Sequence, residues 1–271
     1  MTRSKPGLVL LLVLVFAVNL AETAWESSLH SGAPISSSDD RGAYAVRQLE
    51  PAFVDFEFHD QVPAWMVYSS SIAYFVVFPA LALALLVALA VRPQLAPFRV
   101  LCLAVATDYV VSLPWFLFFP VPERWAYPES NAVLLSDQWT SMLIQSIRPL
   151  SGLNNSFPST HTSLTIILVL VSWLFDIRWR VTVAALGAMV ILATFVLGIH
   201  WVPDILAGIA AGALSVAVAW RCTDTSERPQ LANLEEVSPL PWKPRPRAAR
   251  AFTPVGATIG GSKPIRGSAS P

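Results

Sequence analysis

Apolar residues in this chain gather into six runs separated by polar stretches of very unequal length. The runs cover residues 7–21, 72–91, 100–119, 162–177, 181–199 and 205–220. A helix needs about 20 apolar residues to cross a bilayer, with about 17 at the low end. The pattern therefore predicts an all-α fold, a polytopic membrane helical bundle with about six transmembrane helices. The runs at 162–177 and 205–220 are short, and are expected to start inside a polar cavity walled by protein rather than lipid. Pro79 is expected to kink the second run. The third contains Asp108 and Pro114.

The polar stretches divide the chain into four parts. Residues 1–25 are a signal anchor or first transmembrane helix. A basic start and a short apolar stretch also suit a secretory signal peptide, but Asn19-Leu20-Ala21 makes a poor cleavage site. Residues 26–71 form an extracytoplasmic polar segment. Residues 72–220 are the membrane core. Residues 221–271 are a Pro/Arg-rich tail with few bulky apolar residues, expected to be disordered.

Composition agrees with this partition. The chain of 271 residues is 54% hydrophobic and only 13% charged, about half the charged share of a soluble domain. Its formal net charge is zero, so no basic field argues for nucleic acid. Cys102 lies within an apolar run and Cys222 just beyond the last one, so no structural disulfide is expected. No internal repeat is visible, and oligomeric state is not readable.

Charge asymmetry sets the orientation. With the N-terminus in the cytoplasm and six alternating spans, 14 of the 18 Lys and Arg residues fall on the cytoplasmic side, as the positive-inside rule requires. Residues 22–71 and 120–161 then face outward, and so do His30, His59, His161 and His200. The C-terminal tail lies in the cytoplasm of a plasma or inner membrane protein.

Two polar clusters carry candidate chemistry. Residues 154–163 lead into the fourth run, and residues 198–204 join the fifth to the sixth. Runs four and five are consecutive and antiparallel, so topology alone brings His161 near His200. An imidazole can attack phosphorus and form a phosphohistidine, provided its other nitrogen is held by an acceptor. Asp204, four residues after His200, can be that acceptor. His161 can protonate the leaving oxygen and later deprotonate water. The start of the fourth helix offers free N–H groups and a positive dipole end for phosphate, with the Ser159 hydroxyl beside them. Blander readings exist for each residue. An Asp at a helix start is commonly a cap, and Pro-Ser-Thr is ordinary helix-start punctuation. Two His and a carboxylate also form a possible zinc set, although no HExxH-like pair accompanies them.

The residues Phe157-Pro158-Ser159-Thr160-His161-Thr162 resemble the Pro-Ser-x-His motif of the type 2 phosphatidic acid phosphatase superfamily. Residues 198–208, Gly-Ile-His-Trp-Val-Pro-Asp-Ile-Leu-Ala-Gly, resemble its His-x-x-x-Asp motif. The resemblance covers about residues 100–220. It implies a metal-independent, six-helix phosphatase or phosphotransferase core with no cofactor, and the preferred function is a hydrolase that removes phosphate from a lipid phosphate or diphosphate. His200 would be the nucleophile, Asp204 its orienting partner and His161 the general acid. Pro158, Ser159, Thr160 and Arg148 would form the phosphate site.

Two positions depart from the family pattern. Ala193-Thr194 stand where Ser-Arg is usual, and Ser141 stands where the Lys before Arg148-Pro149 is usual. Two of three cationic phosphate ligands are thus absent, and a buried phosphate dianion needs positive partners. Arg148 would carry more of the charge, or Arg124 would help from the same loop. These changes resemble a divergent branch related to inositol phosphorylceramide synthases, which makes a lipid headgroup phosphotransferase an alternative. A non-catalytic membrane protein that keeps the fold is another. The implied partners are a lipid phosphate substrate and the membrane.

Three further features stay open. Asp108 is either a functional intramembrane carboxylate or a hydrogen-bond partner of Tyr109 or a neighbouring helix. Gly208 and Gly212 give the sixth helix a small face for close packing. Trp115, Trp125, Trp139 and Trp201 lie near the outer end as interface anchors or headgroup contacts.

Overall fold

A computed structural model describes residues 4–30, 41–50, 62–127, 130, 134–135 and 154–223. Arg148, Ser141, Trp139, His59 and the tail beyond residue 223 lie outside the described residues. Among the described residues there is no strand, and one isolated bridge joins Val121 to Asn155.

The first apolar run becomes α1, Lys5–His30, longer than the run itself. Nothing after Gly7 breaks a helix, and the polar Glu22 and Thr23 are buried toward its C-terminal end. A short helix α2, Arg41–Gln48, follows. Its Ala43 and Val46 pack with Val121, Tyr127 and Trp201 in a small cluster of their own.

The second run starts earlier than the apolar pattern indicates. Helix α3, Ala64–Ile72, begins directly after Pro63. The stretch 64–71, expected in the polar segment, is therefore helical. Its serines do not interrupt the helix, because a helical Ser can return its hydroxyl to a carbonyl one turn back. Ser69 does so, donating to Met66 O at 3.1 Å. A π-helical turn, Ala73–Val77, then leads into α4, Phe78–Ala90, with Pro79 in its first turn. Proline removes one backbone donor and crowds the carbonyl four residues earlier. The wider π turn is where that mismatch is absorbed.

Helix α5 is Ala96–Phe118, with Pro114 inside it. The last three helices are α6, Thr160–Leu174, α7, Arg180–Val196, and α8, Val202–Arg221. Lys5–Trp25, Ala64–Ala90, Ala96–Phe118 and Val202–Arg221 are long and apolar enough to cross a membrane, whereas α6 and α7 are shorter apolar helices. The described residues are thus all-helical, and their four long apolar helices mark an integral membrane protein.

Its main core draws Leu85 and Leu89 from α4, Phe98 and Cys102 from α5, Ile167 and Val171 from α6, and Val216 from α8. Large apolar side chains such as Phe16, Leu83, Val87, Leu192 and Leu206 point outward, as suits lipid contact. At one end of the bundle, Lys5 Nζ donates to Arg92 O at 2.7 Å. At the other, Asn155 Nδ2 donates to Glu22 at 2.9 Å. Both cysteines are free, Cys102 buried and Cys222 exposed.

Helix α8 packs along both α5 and α6. A Cβ at Gly208 would come within 2.5 Å of Ser159 O, and one at Gly212 within 2.5 Å of Ser163 O. The small face read from the sequence is a close backbone contact between α8 and α6. It brings the beginnings of those two helices together.

Candidate active site

Helix α7 ends at a turn that positions one histidine. Gly198 adopts a positive φ of 74°, which glycine takes without the steric cost a Cβ brings. The chain doubles back, and the N–H groups of Ile199 and His200 both donate to Thr194 O, at 3.1 and 3.2 Å. Thr194, where the family pattern has Arg, thus holds the His200 backbone. A 3-10 turn, Arg124–Ala126, pins the same loop from outside. Arg124 N donates to Ile199 O, and Trp125 N to Gly198 O, both at 3.0 Å.

Arg124 itself is 2% exposed and pairs with Glu50 at 3.8 Å. Glu50 also accepts the Val202 N–H at 3.3 Å, tying the end of α2's segment to the start of α8. Trp201 is 1% exposed, and its Nε1 donates to Pro122 O at 3.1 Å. It is a core residue of the bundle end that holds His200, not an interface anchor. The sequence placed it near the membrane surface but had no signal for the α2 cluster that covers it.

Asp204 lies in the first turn of α8 and is fully buried. Its Oδ2 accepts the Trp201 N–H at 3.0 Å and the Ser156 hydroxyl at 2.6 Å. The first of these bonds is a helix cap, so the blander reading of Asp204 holds as one of its jobs. Its Oδ2 also lies 3.5 Å from His200 Nδ1. Ser156 Oγ sits between the two, 3.1 Å from that nitrogen. Ser156 stands in the quoted motif region, but its part in the site was not read from the sequence. Only its place in the same polar turn pointed to it.

His200 is 4% exposed, and its Nε2 has no hydrogen-bond partner among the described residues. Burial lowers its pKa from 6.5 to about 4, so the ring is neutral at pH 7. A neutral imidazole with one nitrogen engaged and the other free is chemically a poised nucleophile or base.

His161 faces it from the first turn of α6, with the two ring centroids 5.9 Å apart. Its ring packs on Tyr74 and Phe78, at centroid distances of 4.4 and 5.1 Å. The Tyr74 hydroxyl lies 3.4 Å from His161 Nδ1. Tyr74 belongs to the π-helical turn, so the irregularity in the second span sits beside the site.

The other expected site residues cluster at the start of α6. Pro158, joined to Phe157 by a cis peptide bond, is buried, and Thr160 is partly exposed. Ser159 is the N-cap: its hydroxyl accepts the Thr162 N–H at 3.3 Å and donates to Thr162 Oγ1 at 3.0 Å. Among the described residues, that engagement leaves the N–H groups of Thr160 and His161 as the uncapped donors of the helix start. Ser159 N donates to Asp204 O at 3.1 Å, which joins the two halves of the site. One turn further into α6, Ser163 donates to Asp108 Oδ2 at 2.7 Å, so Asp108 does bond a neighbouring helix. Among the described residues no group of three or more His, Cys, Asp or Glu is arranged to hold a metal ion.

Fold and site together define a helical membrane protein with two facing histidines, one of them backed by a serine and an aspartate. Residues 96–228 match the family model of the PAP2 superfamily, which supports placing the chain in that superfamily. No curated protein and no solved structure matches it. Members of that superfamily are generally phosphatases or phosphotransferases.

Proposed function

We propose that this protein is a metal-independent phosphatase that removes phosphate from a lipid phosphate or diphosphate. The observation that carries the reading is His200: Nδ1 engaged, Nε2 free, and a second histidine 5.9 Å away between ring centroids. His200 Nε2 attacks phosphorus while the bond to the lipid oxygen breaks, and His161 gives that oxygen a proton. His161 then takes a proton from water, whose oxygen displaces His200. The Thr160 and His161 N–H groups receive the phosphate oxygens at the positive end of α6. Arg148, named by the family resemblance, is the proposed source of positive charge for the phosphate.

In this reading α6 and α7 also span the membrane, giving six spans with the tail in the cytoplasm. The shared end of the bundle that holds His161 and His200 faces outward, as the charge count favours. A second reading is a headgroup phosphotransferase related to inositol phosphorylceramide synthases, favoured by Ala193-Thr194 in place of Ser-Arg. The two differ only in the acceptor: water or a lipid alcohol.

The test uses purified full-length protein, EDTA, and a panel of phosphatidic acid, lysophosphatidic acid, ceramide phosphate and polyprenyl diphosphate. Phosphate release that disappears in His200→Ala supports the phosphatase. Turnover only with an added lipid alcohol moves the assignment to the transferase. No release or exchange, with wild type equal to His200→Ala, refutes both.

A further inference from the structure

The buried centre of the site holds three groups where the sequence pattern supplies two. Ser156 Oγ lies 2.6 Å from Asp204 Oδ2 and 3.1 Å from His200 Nδ1. The direct separation of His200 Nδ1 from Asp204 is 3.5 Å, beyond good hydrogen-bond length. A hydroxyl has one proton to donate and lone pairs to accept with. Asp204 Oδ2 already accepts the Trp201 N–H, so it is the acceptor in its shorter contact with Ser156. The Ser156 proton therefore points to Asp204, and its lone pair is left for His200 Nδ1–H.

The serine is held firmly enough for this work. It is 1% exposed. Its N–H donates to Val121 O at 3.0 Å, and Val121 N donates to Asn154 O at 2.8 Å. The neighbouring Asn155 is bonded to Glu22 of α1. The position of Ser156 is thus set by the ends of α1 and α5, far from both motifs in sequence.

We infer that Ser156 is a positioning residue that relays Asp204 to His200, fixing the proton on Nδ1 and leaving the Nε2 lone pair for attack. This rests on the phosphoryl-transfer reading. In the step itself the bond from Nε2 to phosphorus forms and the bond from phosphorus to the lipid oxygen breaks. The Nδ1 proton stays in place, and the positive charge gained by the ring is met by the Ser156 oxygen and the carboxylate behind it. No net proton passes through Ser156.

The test combines spectroscopy and kinetics on the full-length protein in detergent micelles. Histidines are labelled with nitrogen-15, and His200 is assigned by the signals lost in His200→Gln. Wild type is expected to show a single Nδ1–H tautomer for His200. Ser156→Ala is expected to give mixed tautomers and to lower kcat on phosphatidic acid about 10- to 100-fold with little change in KM, the usual cost of losing an outer-shell partner. Ser156→Thr, which keeps the hydroxyl, is expected to retain both the tautomer and most of kcat. A wild-type ring protonated on Nε2 overturns the inference even if Ser156→Ala fails to fold. Unchanged His200 signals in Ser156→Ala also overturn it, whatever happens to kcat. Absence of wild-type turnover would count against the hydrolase reading alone, since the tautomer measurement needs no substrate.

Discussion

The two histidines are held in opposite ways. His200 sits in a polar setting: Thr194 O fixes its backbone, and Ser156 with Asp204 fixes its ring. His161 sits against aromatic rings, with the Tyr74 hydroxyl 3.4 Å from its Nδ1 and Phe78 on its flank. A ring held through a serine hydroxyl by a buried carboxylate keeps one tautomer and suits attack. A ring held chiefly by packing has no such commitment, which suits a group that must give and regain a proton in each cycle. The contrast supports the proposed roles, attack for His200 and proton transfer for His161.

The largest expected effect breaks the nucleophile. His200→Ala should lower turnover by about 10^4-fold or more, as nucleophile removal does elsewhere, and no change of substrate should restore it. Asp204→Asn should follow, with a loss of about 10^3-fold in kcat, because the amide oxygen can still accept from Ser156 and Trp201 but lacks the negative charge that steadies the ring as it turns positive. Steady-state kinetics on phosphatidic acid check both.

His161→Ala should cost about 10^2-fold on a lipid phosphate. Its loss should shrink on an aryl phosphate, whose leaving oxygen needs no proton. If His161→Ala is equally impaired on both substrates, the acid role is wrong. If His200→Ala recovers on the aryl substrate, the two assignments are reversed.

Much of this site was legible in the sequence. Consecutive antiparallel helices required His161 and His200 to meet, and Gly208 and Gly212 announced a close-packed face on α8, though not that α6 fills it. Ser156 was not legible, because its role depends on Val121, an α5-end residue reached through the fold and not through spacing. Tyr74 was hidden for a different reason: it lies where the apolar run had only just begun, and periodicity does not reveal a π turn. The start of α3 was missed because Trp65–Ser71 mixes polar and apolar residues, and hydropathy marks spans rather than helix starts. Trp201 illustrates the same limit, since its burial comes from α2, a helix too short and polar to stand out.

Two smaller effects test the framework that holds the histidines. Gly208→Ala should destabilise the fold by about 1–3 kcal/mol, since the added Cβ would meet Ser159 O at 2.5 Å, and thermal unfolding in detergent measures it. The pH response should be smaller still in the working range. Burial lowers the His200 pKa to about 4, so the ring stays neutral as pH falls from 7 to 5. The acid limb of kcat/KM should therefore fall well below 6.5. Stability should also decline as pH drops through 6.5 toward about 4, where the unfolded chain binds the proton that native His200 refuses, and this contribution levels off below that.

The most direct measurement is a trap of the covalent intermediate. Phosphatidic acid labelled with phosphorus-32 is mixed with the purified protein and quenched in alkaline detergent within a turnover. The account predicts protein-bound label that is stable to alkali, lost in mild acid, carried by His200 and absent from His200→Ala. Steady turnover with no trapped label, or the same label in His200→Ala, would contradict it.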